Sequence, residues 1–339
     1  MRLRSIDAFR GLAIVLMVFF TLTLTFSSQL PDLITHNVAG SLHAGDFVLP
    51  MFLFASGMSL VFFHEKRKKK KALEYALDVV ERFGKLALVS FLLSPFTAGI
   101  FQMDEVMLSA ILFLVCVVLV GLPEMVLVLV AFAVFAIYFA LYDLSLLPDF
   151  SAYYLGGYPA AIFYLPVMLG GVIAGKLIAE KKGLAPALLG AGLLFVVLLL
   201  VVPPDKSEAT PSFMALSVAV SLLVFVLIER AVGTGRERKR TSDEPGLVGT
   251  ERGVVSGFFE YLGRQPINYW VLMFLLARIP LSFYAIYMGI ELPLGLGWME
   301  AVILAAAYAP LLYLVSRLGD FVSGMGGKAL FNKIGRRDD

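Results

Sequence analysis

Charge is scarce in this 339-residue sequence: 16% of its residues are Asp, Glu, Lys or Arg and 59% are hydrophobic. Soluble domains run at about 25% charged and 45–50% apolar, so the composition excludes an ordinary soluble fold. Cysteine is nearly absent. Cys116 stands alone in an apolar run, which excludes a disulfide framework and a cysteine-ligated metal site. Asn and Gln are limited to Asn37, Asn268, Asn332, Gln29, Gln102 and Gln265. Depletion of that kind is reported for heat-adapted proteins and points to a thermophilic habitat. No excess of one sign exists either, since the formal net charge is +2, and no nucleic-acid partner is expected.

What is there is a series of long apolar runs, near 8–26, 45–63, 86–101, 106–121, 124–142, 158–178, 184–202, 212–229, 266–287 and 297–316. A membrane helix takes roughly 20 apolar residues, so ten such helices leave no room for a separate globular domain. The first run follows Met1-Arg-Leu-Arg but is too long for a signal-peptide core, and no small-x-small site follows it, so it reads as a span. The expected fold is an all-α integral membrane protein, a bundle of about ten transmembrane helices in one domain, 1–339.

Orientation follows from the basic residues. With both termini cytoplasmic, all but Lys206 and Arg278 of the 28 Lys and Arg fall at or near one side. The excess assigns that side to the cytoplasm of a multi-pass membrane protein, for which the cell membrane of a prokaryote is the expected setting. Asp32, His36, His43, Asp104, Asp143, Asp149, Asp205 and Glu291 then lie outside. Residues 64–85 form a basic cytoplasmic segment with Leu73, Ala76, Val80 and Phe83 at helical spacing. Residues 231–253, rich in Gly and charge, read as a cytoplasmic linker. The bland account of both is a solvated loop drawn to anionic lipid.

Polar groups at membrane depth are expensive and usually face a protein interior or a water path. Two helices carry such a stripe. Arg10, Ile14, Met17, Thr21, Thr25 and Ser28 share one face of the first helix, with Asp7 three residues before Arg10. Arg264, Asn268, Val271, Leu275, Arg278 and Ser282 share one face of the ninth. The competing account is that the hydroxyls bond their own helix carbonyls and the Arg side chains snorkel. Arg278, 14 residues from Arg264 and about 21 Å along a helix, resists that account and calls for a partner or water.

Between the first two spans stand two of the three histidines, His36 and His43, followed by Asp46. Histidine suits proton transfer near neutral pH, and a nearby carboxylate fixes its tautomer. The spacing of His36, His43 and Asp46 fits no common zinc pattern, so no metal is expected. Read alone, these residues equally suit a surface loop.

Four segments resemble the heparan-alpha-glucosaminide N-acetyltransferase family of the transmembrane acyltransferase superfamily. They are Arg2-Leu-Arg-Ser-Ile-Asp7-Ala-Phe-Arg10-Gly11; His36 to Asp46 with Val48-Leu49-Pro50-Met51-Phe52 through Gly57; Tyr158-Pro159-Ala160-Ala161 through Gly170-Gly171 and Gly175; and Tyr261-Leu-Gly263-Arg264-Gln-Pro-Ile267-Asn268-Tyr269. The resemblance is to a prokaryotic-type member without a large luminal domain. It implies transfer of an acetyl group from cytoplasmic acetyl-CoA to a terminal amino sugar or related glycan across the membrane. It also implies that His36 is the catalytic histidine and Asp46 its following aspartate.

With that activity in view, the expected site has His36 as general base and Asp46 as its orienter or acceptor holder. Asp7, Arg10, Arg264 and Asn268 are the expected contacts of the coenzyme, the arginines by charge-assisted bonds to phosphate. Thr21, His43 and Arg278 are expected on the acceptor or oxyanion side, with Asn268 a further oxyanion donor. One-step transfer and an acetyl-histidine intermediate both stay open. So do another acyl group or acceptor, a homodimer, and a transporter or channel using the same polar path.

Overall fold

A computed structural model describes residues 3–32, 34–35, 41–96, 103–144, 160–206, 210–232, 254–290 and 292–334. Twelve α-helices are present among them, and no strand: α1 Arg4–Phe26, α2 Val48–Arg67, α3 Ala72–Leu93, α4 Glu105–Leu119, α5 Glu124–Asp143, α6 Ala160–Ala179, α7 Ala185–Leu199, α8 Pro211–Val232, α9 Val254–Arg264, α10 Pro266–Met273, α11 Ile279–Met288 and α12 Trp298–Ile334. Two compact units result, one from Met1–Met17 with Pro31–Arg264, the other from Val18–Leu30 with Gln265–Asp339.

In the first unit α2 and α6 form the centre, and glycine is the reason. A Cβ on Gly57 would lie 2.2 Å from the Met168 carbonyl oxygen, and one on Gly171 would lie 2.1 Å from that of Phe54. No larger residue fits without moving backbone. Inside a bilayer, where apolar burial does not drive helices together, such close approach supplies the van der Waals contact that does. The same device joins α1 to α9. Cβ atoms on Gly11 and Gly263 would meet the Phe259 and Asp7 carbonyl oxygens at 1.9 and 1.7 Å. Phe9 then packs edge-on against Phe54 and Phe225, with centroids 6.3 and 5.7 Å apart, tying α1 to α2 and α8.

Two helix starts in this unit, those of α4 and α8, are capped by side chains. Asp104 accepts the Met107 N–H at 2.8 Å at the start of α4 and a bond from the Ser90 hydroxyl at 2.5 Å. Thr210 caps α8, accepting the Phe213 N–H at 3.4 Å. Its hydroxyl also accepts the Asp205 N–H at 2.8 Å and donates to the Asp205 carbonyl at 3.1 Å. Asp205 and Thr210 are thereby held together by two bonds.

In the second unit the end of α1 packs with α10 to α12. The Thr25 and Phe26 carbonyls accept the Leu294 and Leu296 N–H groups at 3.1 and 3.0 Å. Between α10 and α11 lies one π turn, Phe274–Arg278, in which the Ile279 N–H reaches the Phe274 carbonyl. Pro280, which has no N–H to give a helical carbonyl, follows directly.

Among the described residues, seven helices are long and apolar enough to cross a membrane: α1, α2 with the 3₁₀ turn Ala44–Phe47 before it, α5, α6, α8, the run Pro266–Met288, and the first part of α12. The remaining expected spans are shorter or more polar. Helices α4 and α7 have 15 residues each. That length covers about 22 Å, less than a hydrocarbon core of about 30 Å. Helix α3 joins two segments that the composition separates, because it runs unbroken from the basic stretch 64–85 into the apolar run 86–101. Nothing between Lys85 and Leu86 breaks a helix, whereas the like charges Lys68 to Lys71 fall at the break between α2 and α3.

A second correction concerns the stripe from Arg264 to Ser282. It is not one face of one helix. Gln265 leaves the helical region at φ −136°, ψ 56°, because Pro266 disfavours helix in the residue before it. The π turn then rotates everything after it, and Asn268 and Leu275 are exposed.

Candidate active site

Two polar sites lie at the two ends of α2, both within the first unit. At its C-terminal end a cavity of about 640 Å³ opens between the start of α1, the end of α2 and α3. That volume is within the range of small-molecule sites. Five cations line it, Arg10, Lys66, Arg67, Arg82 and Lys85, together with Asp7, Asp78 and Glu81.

Each acid is already engaged. Asp7 pairs with Arg10 at 3.1 Å, Asp78 with Arg67 and Lys70 at 2.7 Å each, and Glu81 with Lys85. A hydrogen bond from Lys70, and after it one from Arg67, holds the Asp78 carboxyl below the usual carboxylate range. Arg10 also donates from Nε to the Gly263 carbonyl and from Nη1 to the Ser59 hydroxyl at 3.3 Å, which fixes it across α1, α2 and α9.

Arg82 is different. Its guanidinium lies over the Phe63 and Phe113 rings at 5.1 and 4.9 Å. Among the described residues it has no ion-pair partner. Burial, and then the neighbouring Arg67 charge, lower its pKa. A half-buried guanidinium flanked by a second cation and facing a cavity suits an anionic group such as a phosphate.

At the opposite end, the 3₁₀ turn Ala44–Phe47 brings His43 and Asp46 together. Asp46 is fully buried. Its Oδ2 accepts the His43 N–H at 2.9 Å and lies 3.8 Å from His43 Nδ1. Its Oδ1 lies 3.3 Å from the ammonium of Lys206, whose side chain is only 9% exposed. Desolvation lowers the Lys206 pKa, opposed by the charges of Asp46 and Glu105. The arrangement is a buried carboxylate bridging an imidazole and an ammonium.

The expected site residues divide between these places. Asp7 and Arg10 stand in the cavity, and His43 and Asp46 in the buried cluster. Arg264 is exposed at the end of α9 and does not line the cavity. Asn268, in the second unit, is exposed and bonds Gln265 at 2.5 Å. In that unit Arg278 also finds its partner, the Thr25 hydroxyl, which itself donates to the Thr21 carbonyl at 2.8 Å. Thr21 is half-buried. His36 lies outside the described residues, as do Tyr158, Pro159, Asp149, Glu291 and residues 233–253 of the linker.

Two features escaped the sequence reading. The cavity cations on α2 and α3 were hidden in a run that looks like a lipid-facing loop. Lys206 did leave a signal, as the lone lysine on the acidic side of the charge partition. A comparison with curated proteins finds no match. Residues 2–201, more than half of the chain and inclusive of the α1, α2 and α3 residues that line the cavity and of His43 and Asp46, match the family "Heparan-alpha-glucosaminide N-acetyltransferase, catalytic", and the chain belongs to that family of membrane acetyltransferases.

Proposed function

We propose that the chain, acting as one domain over 1–339, moves an acetyl group from cytoplasmic acetyl-CoA to an amino sugar or related glycan acceptor on the extracytoplasmic side. The observation that carries this reading is the placement of a cation-rich cavity and a buried His-Asp-Lys cluster at opposite ends of α2. Asp46 and Ser59 are 13 residues apart, or about 20 Å along the helix. Acceptor and nucleotide are thus held at separate stations, as a reaction across a membrane requires. The basic end is the cytoplasmic one, by the excess of Lys and Arg there.

In this reading Arg82, Lys66 and Arg10, the last oriented by Asp7, hold the phosphates of acetyl-CoA, whose thioester supplies the activated acetyl group. Arg264 and Asn268 are second-rank candidates for that contact because both are exposed. At the other end, His36 takes the proton from the acceptor amine or hydroxyl as general base, and Asp46 holds an imidazole or the acceptor. Thr21 and Arg278, which belong to the second unit, are proposed as donors to acceptor or oxyanion from their residue types alone. A second assignment of the base has its own support. His43 is the imidazole nearest Asp46 among the described residues, and its Nδ1 is buried there without a hydrogen bond.

Purified protein in liposomes, given labelled acetyl-CoA outside and glucosamine inside, tests the reading. Label is expected to appear on the internal sugar. Arg82→Gln is expected to weaken coenzyme A binding roughly tenfold, the loss of one charge-assisted contact. His36→Ala at the parent rate with His43→Ala inactive would transfer the base role to His43. No coenzyme A binding in the parent would sink the donor assignment.

A further inference from the structure

We infer that Lys206 is a positioning residue for the transfer step, holding the Asp46 carboxylate in place at the start of α2. The inference deepens the proposed function and rests on it. It begins from a cost. A lysine in a loop next to a membrane surface ordinarily extends its ammonium to water. Lys206 does the opposite and is turned inward against a fully buried carboxylate 3.3 Å away. Desolvating both charges costs several kcal/mol per ion, and such pairs are no better for stability than an apolar pair of similar shape.

The loop is built to keep that geometry. Asp205, the neighbour of Lys206, exchanges backbone bonds with the Thr210 hydroxyl, which is itself the cap of α8 and accepts a third bond from Ser212 at 3.2 Å. Lys206 therefore enters the cluster from a backbone anchored at Asp205. Its ammonium occupies one Asp46 oxygen, Oδ1, while Oδ2 faces the His43 backbone and imidazole. The carboxylate cannot rotate between partners. Lys206 also lies beyond the matched stretch 2–201, so the family match does not assign it.

Three other titratable groups surround the pair. His43 is 3.8 Å from Asp46, Glu105 at the start of α4 acts on Lys206 electrostatically, and Tyr164 on α6 is within reach of both carboxylates. Since burial pushes the Lys206 ammonium below the ordinary lysine range, the positioning charge is present below that lowered value. It is lost as the pH rises through it. An arginine at 206 stays charged throughout.

The test compares Lys206→Met, Lys206→Arg, Asp46→Asn and the double variant Asp46→Asn/Lys206→Met in the liposome assay. Lys206→Met is expected to lose roughly ten- to a hundredfold in kcat, as for a small misplacement of a reacting group. Its KM for acetyl-CoA, bound at the far end of α2, is expected to stay within about twofold. Lys206→Arg is expected to recover most of the rate and to extend activity to higher pH than the parent. The double variant is expected to be no slower than Asp46→Asn, because Lys206 acts through that carboxylate. The double variant also replaces a buried ion pair by neutral groups, so it reports even where Lys206→Met does not fold. Lys206→Met with the parent kcat overturns the inference, as does a double variant slowed by the full product of the two single effects. An unchanged alkaline limb in an active Lys206→Arg overturns it as well. A parent-like rate in Asp46→Asn alone instead sinks the placement of Asp46 in the transfer site.

Discussion

Asp78 shows how a single side chain organises the basic cavity. It is solvent-facing, yet it bonds Arg67 on α2 and Lys70 in the turn, and so pins α3 beside the end of α2. Its carboxyl is held low, and the sign of the consequence follows. A group whose folded pKa is depressed contributes stability above its unfolded value, and that contribution is lost as pH falls through the depressed one. Thermal unfolding in detergent is therefore expected to show a drop in Tm on the acid side that Asp78→Asn flattens. The effect is modest because the site is exposed. Arg278 makes the complementary point. Its burden at membrane depth is met by the Thr25 hydroxyl. The expectation of a stripe of three hydroxyls along a path and the simpler expectation of Thr back-bonding both described part of Thr25, which donates to Thr21 while accepting from Arg278.

Among the helices, the glycines separate into two kinds that composition cannot tell apart. Gly171 on α6 presses against the backbone of α2, whereas Gly190 on α7 has nothing within 4 Å of a built Cβ. Gly171→Val is expected to destabilise by roughly 1–3 kcal/mol or to prevent folding, as overpacking does. Gly190→Ala is expected to stabilise by up to about 1 kcal/mol through helix propensity. Melting curves of the two variants decide the matter, and equal shifts would contradict the close α2–α6 approach. The helix around Arg264 carries a related lesson. Hydrophobic runs mark where helices are, but the phase of a face beyond Pro266 and Pro280 depends on how each proline is accommodated. One is met by a break at Gln265 and the other by a π turn, so helical spacing cannot be carried through either of them.

For the molecule as a whole, sidedness is the property on which the transfer reading stands. In a Cys116→Ser background, Asp32→Cys is expected to react with a membrane-impermeant maleimide applied outside intact cells, and Lys69→Cys only after permeabilisation. Both positions are exposed. The reverse pattern would invert the reaction, placing the basic cavity outside. The remaining exposed apolar side chains, such as Leu189 and Leu193 on α7 and Phe132 on α5, face outward as a lipid environment demands.

Membrane class, the positions of most helices and the acetyltransferase family were all readable in the order of residues. Each depends on composition or local periodicity, and a bilayer makes that dependence unusually strict because every backbone polar group must be satisfied within a helix. Asp7, Arg10, His43 and Asp46 stood out too, as candidate residues. What only the tertiary structure decided is which of them meet, and whom. Lys206 joins Asp46 across 160 residues of chain, and Arg82 faces Arg10 across a cavity between α1, α2 and α3. Such pairings are set by glycine-mediated helix contact and by a capped turn that aims one lysine inward. No local pattern encodes a partner so distant in sequence.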